Sequence, residues 1–310
     1  MAFPVFALSN DCNSNDINEC SQISDIDDPY LTKVFTLDTP GVLKVSTMAG
    51  NVEVVGAENS NKVRVELYVK RGYKLWSSEK SLDNYFIHIQ KQNKQITASV
   101  EPKGSSGVLS SSDISFSFVV YVPKKVSTEI NTKAGNISLT GLSGTQMAKT
   151  GAGNIELQNV SGSQKIYTAA GHITVNQSKG SIKALTNGGH IKFVNTSGEI
   201  RTQTKGGNII AENIGGIFLA ETNAGNISAR FTYVEEVIRM NSKIGNIKAE
   251  IAENTPLDVV LEANEIEFEN RVEFKGKIES NAVNGTFYDG GTILNMITKM
   301  GKVELVFYEN

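Results

Sequence analysis

The fold class this sequence predicts is all-β: a β-helix, or β-solenoid, of about eighteen residues per coil with irregular β caps at both ends. Three observations predict it. Eleven glycines recur every nine residues: Gly135, Gly144, Gly153, Gly162, Gly171, Gly180, Gly189, Gly198, Gly207, Gly216 and Gly225. The residues around alternate glycines differ, which doubles the period to eighteen. Between glycines, apolar and polar residues alternate with period two, which is a strand signal. A chain that bends at equal intervals stacks equal turns.

One corner type reads Thr-x-Ala/Gly-Gly-Asn/His-Ile, at 132–137, 150–155, 168–173, 186–191, 204–209 and 222–227. A looser copy at 242–247 follows a twenty-residue step, and echoes stand at 47–52 and 298–303. The other corner is milder, as in Val160-Ser-Gly162 and Thr196-Ser-Gly198. Glycine there supplies positive φ or close backbone approach. Asn154, Asn208 and Asn226 suit left-handed corners and predict amide ladders along the stack.

Two strands of about five residues fit each coil. Stacking about 4.8 Å apart makes columns of like residues. Ile155, Ile173, Ile191, Ile209 and Ile227 form one interior column, and Leu157, Val175, Phe193, Ala211 and Ala229 its neighbour. Gln164, Ile166, Thr168 and Ala170 share one face of the second strand. Thr150, Thr168, Thr186, Thr204 and Thr222 line the corner.

The flanks differ. Residues 1–28 hold six acidic side chains and neither Lys nor Arg, and read as an acidic, disordered tail. Cys12 and Cys20, the only cysteines, lie there; their separation permits a local disulfide in an exported protein, and free thiols in a mobile tail otherwise. The apolar start, Met-Ala-Phe-Pro-Val-Phe-Ala-Leu, is too short for a complete signal peptide. Residues 29–128 read as a β-rich N-terminal cap and first strands, with candidates at 42–45, 52–55, 63–69, 85–90, 95–100 and 116–122, a short helix at 77–84 and a flexible loop at 104–112. The regular repeat occupies 129–249. Residues 250–310 read as a C-terminal cap and last rung, with strands at 257–261 and 266–268 and a final rung at 292–307.

Charge and length exclude some partners. Net charge is −3, with charged residues at 20%, so bulk electrostatics predicts no nucleic-acid partner. No run approaches the roughly 20 apolar residues of a membrane helix.

Val119-Val-Tyr-Val-Pro123, Val126-Ser-Thr-Glu-Ile130 and Thr132-Lys-Ala-Gly-Asn-Ile137 together resemble a bacterial family of putative adhesins, from about Val34 to Val306. The resemblance implies a right-handed β-helix, exported or surface-attached. It brings no catalytic residues with it.

Calcium-binding β-rolls share the nine-residue step but need aspartates, and 129–250 contains none. His172 and His190 fall one coil apart; as two ligands they make a poor metal site, and a stacked corner pair is the simpler reading. No Gly-x-Ser-x-Gly elbow occurs. Glu199 and Glu221 can be imagined as a glycosidase pair, but tight coils leave little room for a walled pocket. Lys165, Lys183 and Arg201 stand eighteen apart and predict a cationic ladder, flanked by Tyr167 and Gln203. Stacked like charges repel, which a polyanion would relieve; a hydrated face is the plainer alternative. Trp76 and Tyr73 in Arg71-Gly-Tyr-Lys-Leu-Trp76 offer rings for sugar stacking or for packing under the cap.

The reading is an exported, non-catalytic, adhesin-like binding or scaffold module without cofactor or metal, presenting flat faces to glycan or cell-surface protein. A polysaccharide-active β-helix enzyme and a purely structural spacer are its rivals.

Overall fold

The structure is a computed structural model and describes residues 28–58, 60–71, 82–103, 114–268 and 273–309. Cys12, Cys20, Tyr73, Trp76 and the 104–112 loop lie outside them. Of the expected helix, the described part is a single 3-10 turn, Leu82–Asn84.

The eighteen-residue coil is present with the predicted register. Ile137, Ile155, Ile173, Ile191, Ile209, Ile227 and Ile247 pair coil to coil in parallel, and all are buried. Val52 and Val303 extend the column, so both echo motifs belong to the stack. Leu157, Val175, Phe193, Ala211 and Ala229 form the second buried column. Each Ile, Leu, Val or Phe of these columns contributes about 1.5–3 kcal/mol on burial.

The strands are unequal rather than two of five residues. Four-residue strands such as Ile155–Gln158 and Ile173–Asn176 alternate with strands of eight to ten, such as Ser161–Ala170 and Lys179–Thr186. The milder glycine corner lies inside the long strand and bends it without breaking the ladder. The sharper break falls just before it, at Asn159, Gln177, Asn195 and Asn213, with φ of 54, 48, 50 and 54°. In the long strand Gln164, Ile166 and Thr168 point inward and are buried, but Ala170 is exposed because the next corner has begun.

The Thr-Gly corner is closed by the backbone. At Gly189 an added Cβ would overlap the carbonyl oxygen of Gly171, and the equivalent glycines repeat this approach along the stack. That carbonyl accepts the Thr186 hydroxyl at 3.0 Å, and Thr150, Thr168, Thr204 and Thr222 repeat the bond at 2.9–3.0 Å. Asn154, Asn208 and Asn226 adopt no left-handed φ and form no amide ladder. Each Oδ1 instead accepts a backbone N–H one coil on, at 2.8–2.9 Å. The corner N–H groups point along the stack and need acceptors, which outranks side-chain pairing. An amide pair does occur at the other corner, where Asn213 Nδ2 donates to Asn195 Oδ1 at 3.2 Å.

Chain order and stacking order part at the ends. Gly41–Ala49 and Val52–Ala57 stack directly on Val126–Ala134 and Ile137–Thr140. The intervening chain goes outward. Gln95–Pro102 and Ile114–Pro123 pair in parallel on the far side of that first coil, and Tyr85–Gln92 and Lys62–Arg71 close it antiparallel, followed by Leu31–Thr36. At the other end, the rung at Thr292–Met300 and Lys302–Tyr308 is last in the chain but not in the stack. Leu257–Glu262 and Glu265–Phe268 cover its outer edge, and Ala282–Phe287 and Phe274–Ile278 extend the cover antiparallel. An uncovered coil would leave an unpaired ladder. Phe287 seals this end, with ring centroids 5.0, 5.7 and 5.1 Å from Phe274, Phe268 and Phe307.

Candidate functional site

Outward side chains on the long strands occupy positions two apart, about 7 Å, and two of those positions on each strand flank a trough. Register repeats the pairs coil after coil, giving two rows with a trough between them along the stack. One row runs Glu129, Met147, Lys165, Lys183, Arg201, Leu219, Arg239. The other runs Asn131, Lys149, Tyr167, Leu185, Gln203, Glu221, Asn241. Two hollows of about 330 and 300 Å³ lie along this trough and share Lys183 and Leu185. They span seven coils, roughly 29 Å at the strand spacing.

The predicted cationic ladder is therefore in register and exposed, but its members differ. Arg201 Nε donates to Glu199 at 2.7 Å on the same strand. Among the described residues, Lys165, Lys183 and Arg239 have no carboxylate partner. Glu129, at the head of the row, is held by Lys44 at 2.8 Å. Tyr167 sits in the second row, half-buried. Its hydroxyl accepts Asn187 Nδ2 at 3.1 Å, and the Lys149 ammonium lies 5.8 Å from its ring centroid.

The eighteen-residue step from Lys165 and Tyr167 leads straight to Met147, Lys149 and Leu185, all passed over in the sequence. Arg239 was hidden by the twenty-residue step. Register shifts between Ala211 and Phe218, with Glu236 at φ 25°, absorb the two extra residues and return Arg239 to the row.

A model of the Toastrack DUF4097 family matches residues 42–303, from the first coil to the strand Lys302–Tyr308. The chain belongs to that family. None of the curated proteins matches it. Among solved structures, a putative cell adhesion protein from Clostridium sporogenes ATCC 15579 is 11% identical, covering 90% of this chain and 99% of its own, with TM-score 0.22. A putative adhesin from Bacteroides fragilis NCTC 9343 is also 11% identical, with 90% and 96% covered and TM-score 0.39.

Other candidate chemistry in this Toastrack chain resolves differently. His172 and His190 do stack, with centroids 5.1 Å apart and planes 9° apart. Each Nδ1 accepts a backbone N–H one coil on, from His190 and Asn208 at 3.0 and 2.9 Å. A neutral ring with its acceptor thus engaged carries its proton on Nε2, so the pair replaces asparagine in the corner ladder. Among the described residues no group of three or more His, Cys, Asp or Glu is placed to hold a metal.

Glu199 and Glu221 are not brought together. Glu199 faces Ile217 in register and Glu221 faces Gln203, with the cationic row between them. A further hollow of about 590 Å³ lies at the C-terminal cap. Its carboxylates are already engaged: Glu267 pairs with Lys302, and Glu304 with Lys248 at 3.3 Å. No helix among the described residues is long and apolar enough to cross a membrane.

Proposed function

We propose that this Toastrack chain is an exported, non-catalytic binding module of the adhesin type, using its long-strand face to hold glycan or protein at a cell surface. The observation that carries this reading is the run of cations in register at Lys165, Lys183 and Arg201, whose two lysines have no carboxylate partner among the described residues, beside Tyr167 and Leu185 in an open trough. Like charges stacked at strand spacing destabilise a bare face, and a bound polyanion removes that cost. Lys165, Lys183, Arg201 and Tyr167 are the binding residues of this proposal. Trp76 is a second sugar-stacking candidate. In this reading residues 29–128 supply a cap and the first strands, residues 250–310 a cap and the last rung, the repeat at 129–249 is the binding rod, and Cys12 and Cys20 are candidates for a disulfide.

The test is binding of the full chain to a panel of glycans and surface extracts. The triple variant Lys165→Glu, Lys183→Glu, Arg201→Glu is expected to keep its circular dichroism and lose binding. A folded triple variant that binds as the parent does would remove the proposal. Turnover on a polysaccharide panel, abolished by one acidic substitution, would establish the enzyme reading instead.

A further inference from the structure

We infer that the trough holds a linear polyuronate lying along the rod axis, one sugar per coil, with carboxylates meeting cations on successive coils. This rests on the reading of the long-strand face as the binding face and adds the chemistry, direction and length of its occupant.

Direction follows from register. The rows are built by stacking, so the trough runs across the strands, and its repeat is the strand spacing of about 4.8 Å. Lys149, Lys165, Lys183 and Arg201 place one cation on each of four consecutive coils. The next coil breaks the run with Leu219 and Glu221, and Arg239 resumes it. A linked pyranose advances by close to one such step. The same-face side chains of an extended acidic peptide recur at about 6.7 Å and fall out of step with the coils.

Charge and surface chemistry agree. Unpartnered cations favour carboxylates. Leu185, Leu219 and the Tyr167 ring offer apolar surface to the C–H face of a sugar, and the Asn187 bond helps to hold that ring in place. Glu221 opposes this ligand; the trough's other carboxylate, Glu129, is already held by Lys44.

The experiment is anisotropy titration of the full chain with end-labelled oligogalacturonates from disaccharide to octasaccharide. Affinity is expected to climb steeply to the tetrasaccharide and flatten near the heptasaccharide, and to weaken with salt. Lys165→Gln with Lys183→Gln should lose roughly tenfold, Lys192→Gln on the other face nothing, and Glu221→Gln should tighten binding about two- to threefold. Equal binding of neutral dextran, no dependence on length, or equal binding by the lysine variant overturns the inference. So does polyglutamate binding as tightly as a galacturonate of equal charge, which would make the trough a site for charge alone. The same variants are run on the surface panel. If the parent binds the panel but no galacturonate, and the lysine variant loses the panel, the polyuronate falls and the binding face stands. If the variant keeps the panel, both fall.

Discussion

The two strand faces of the solenoid share corners, core and register, yet differ in how completely they pair charge. On the short-strand face cations are matched. Lys192 meets Glu212 at 3.0 Å, Arg230 meets Glu250 at 3.4 Å, and Lys248 bridges Glu250 and Glu304 at 3.2 and 3.3 Å. The hydrogen bond to Glu250 holds the Lys248 ammonium above the ordinary lysine range, opposed by partial burial and reinforced by Glu304. On the long-strand face Lys165 and Lys183 stack directly, and Arg239 stands further along the row, all without carboxylate partners among the described residues. The same face pairs Arg201 with Glu199 and Lys44 with Glu129, so these bare charges are not a requirement of the fold. They are available to a ligand.

The comparison breaks most completely at the corner both faces share. Gly189→Ala drives a methyl into the Gly171 carbonyl, and a loss of more than about 3 kcal/mol is expected in chemical denaturation. Gly188→Ala, one residue away, meets open space and should fold as the parent does. Equal stability of the two variants would show that the corner is not close-packed. Next comes the charge reversal at Lys165, Lys183 and Arg201. Binding should drop by about 100-fold, about 2.7 kcal/mol, with little change in melting temperature. A large fall in stability instead would make the ladder structural.

A smaller effect sharpens the role of the corner histidines. His172→Ala removes the acceptor for the His190 N–H and should cost about 0.5–1 kcal/mol. His172→Asn restores a corner acceptor and should sit within a few tenths of the parent in thermal melts. The smallest effect is on the paired face. The hydrogen bond from Lys302 holds Glu267 below the ordinary carboxylate range. Its contribution is therefore present above that ordinary range and disappears as pH falls through the lowered value. Wild type should out-melt Glu267→Gln slightly at neutral pH, with the two curves converging in acid.

Much of this was legible from the chain alone. Equal steps force equal coils, so the isoleucine and threonine columns and the Lys165–Lys183–Arg201 ladder could be placed by counting. The carboxylate partner of Arg201 stood two residues away but is a matter of rotamer. The place of Arg239 depended on a bulge that swallows two residues. The sequence by itself determined the period, the inward columns and where the chain must bend, because those are local and repeat. Only the tertiary structure decided how the unequal segments are ordered and which charges meet. Gly41–Ala57 returns to its neighbours across a long excursion, and Thr292–Tyr308 sits between strands that precede it in the chain. Such placements answer to exposed ladder edges, and a ladder edge exists only once the coils have stacked.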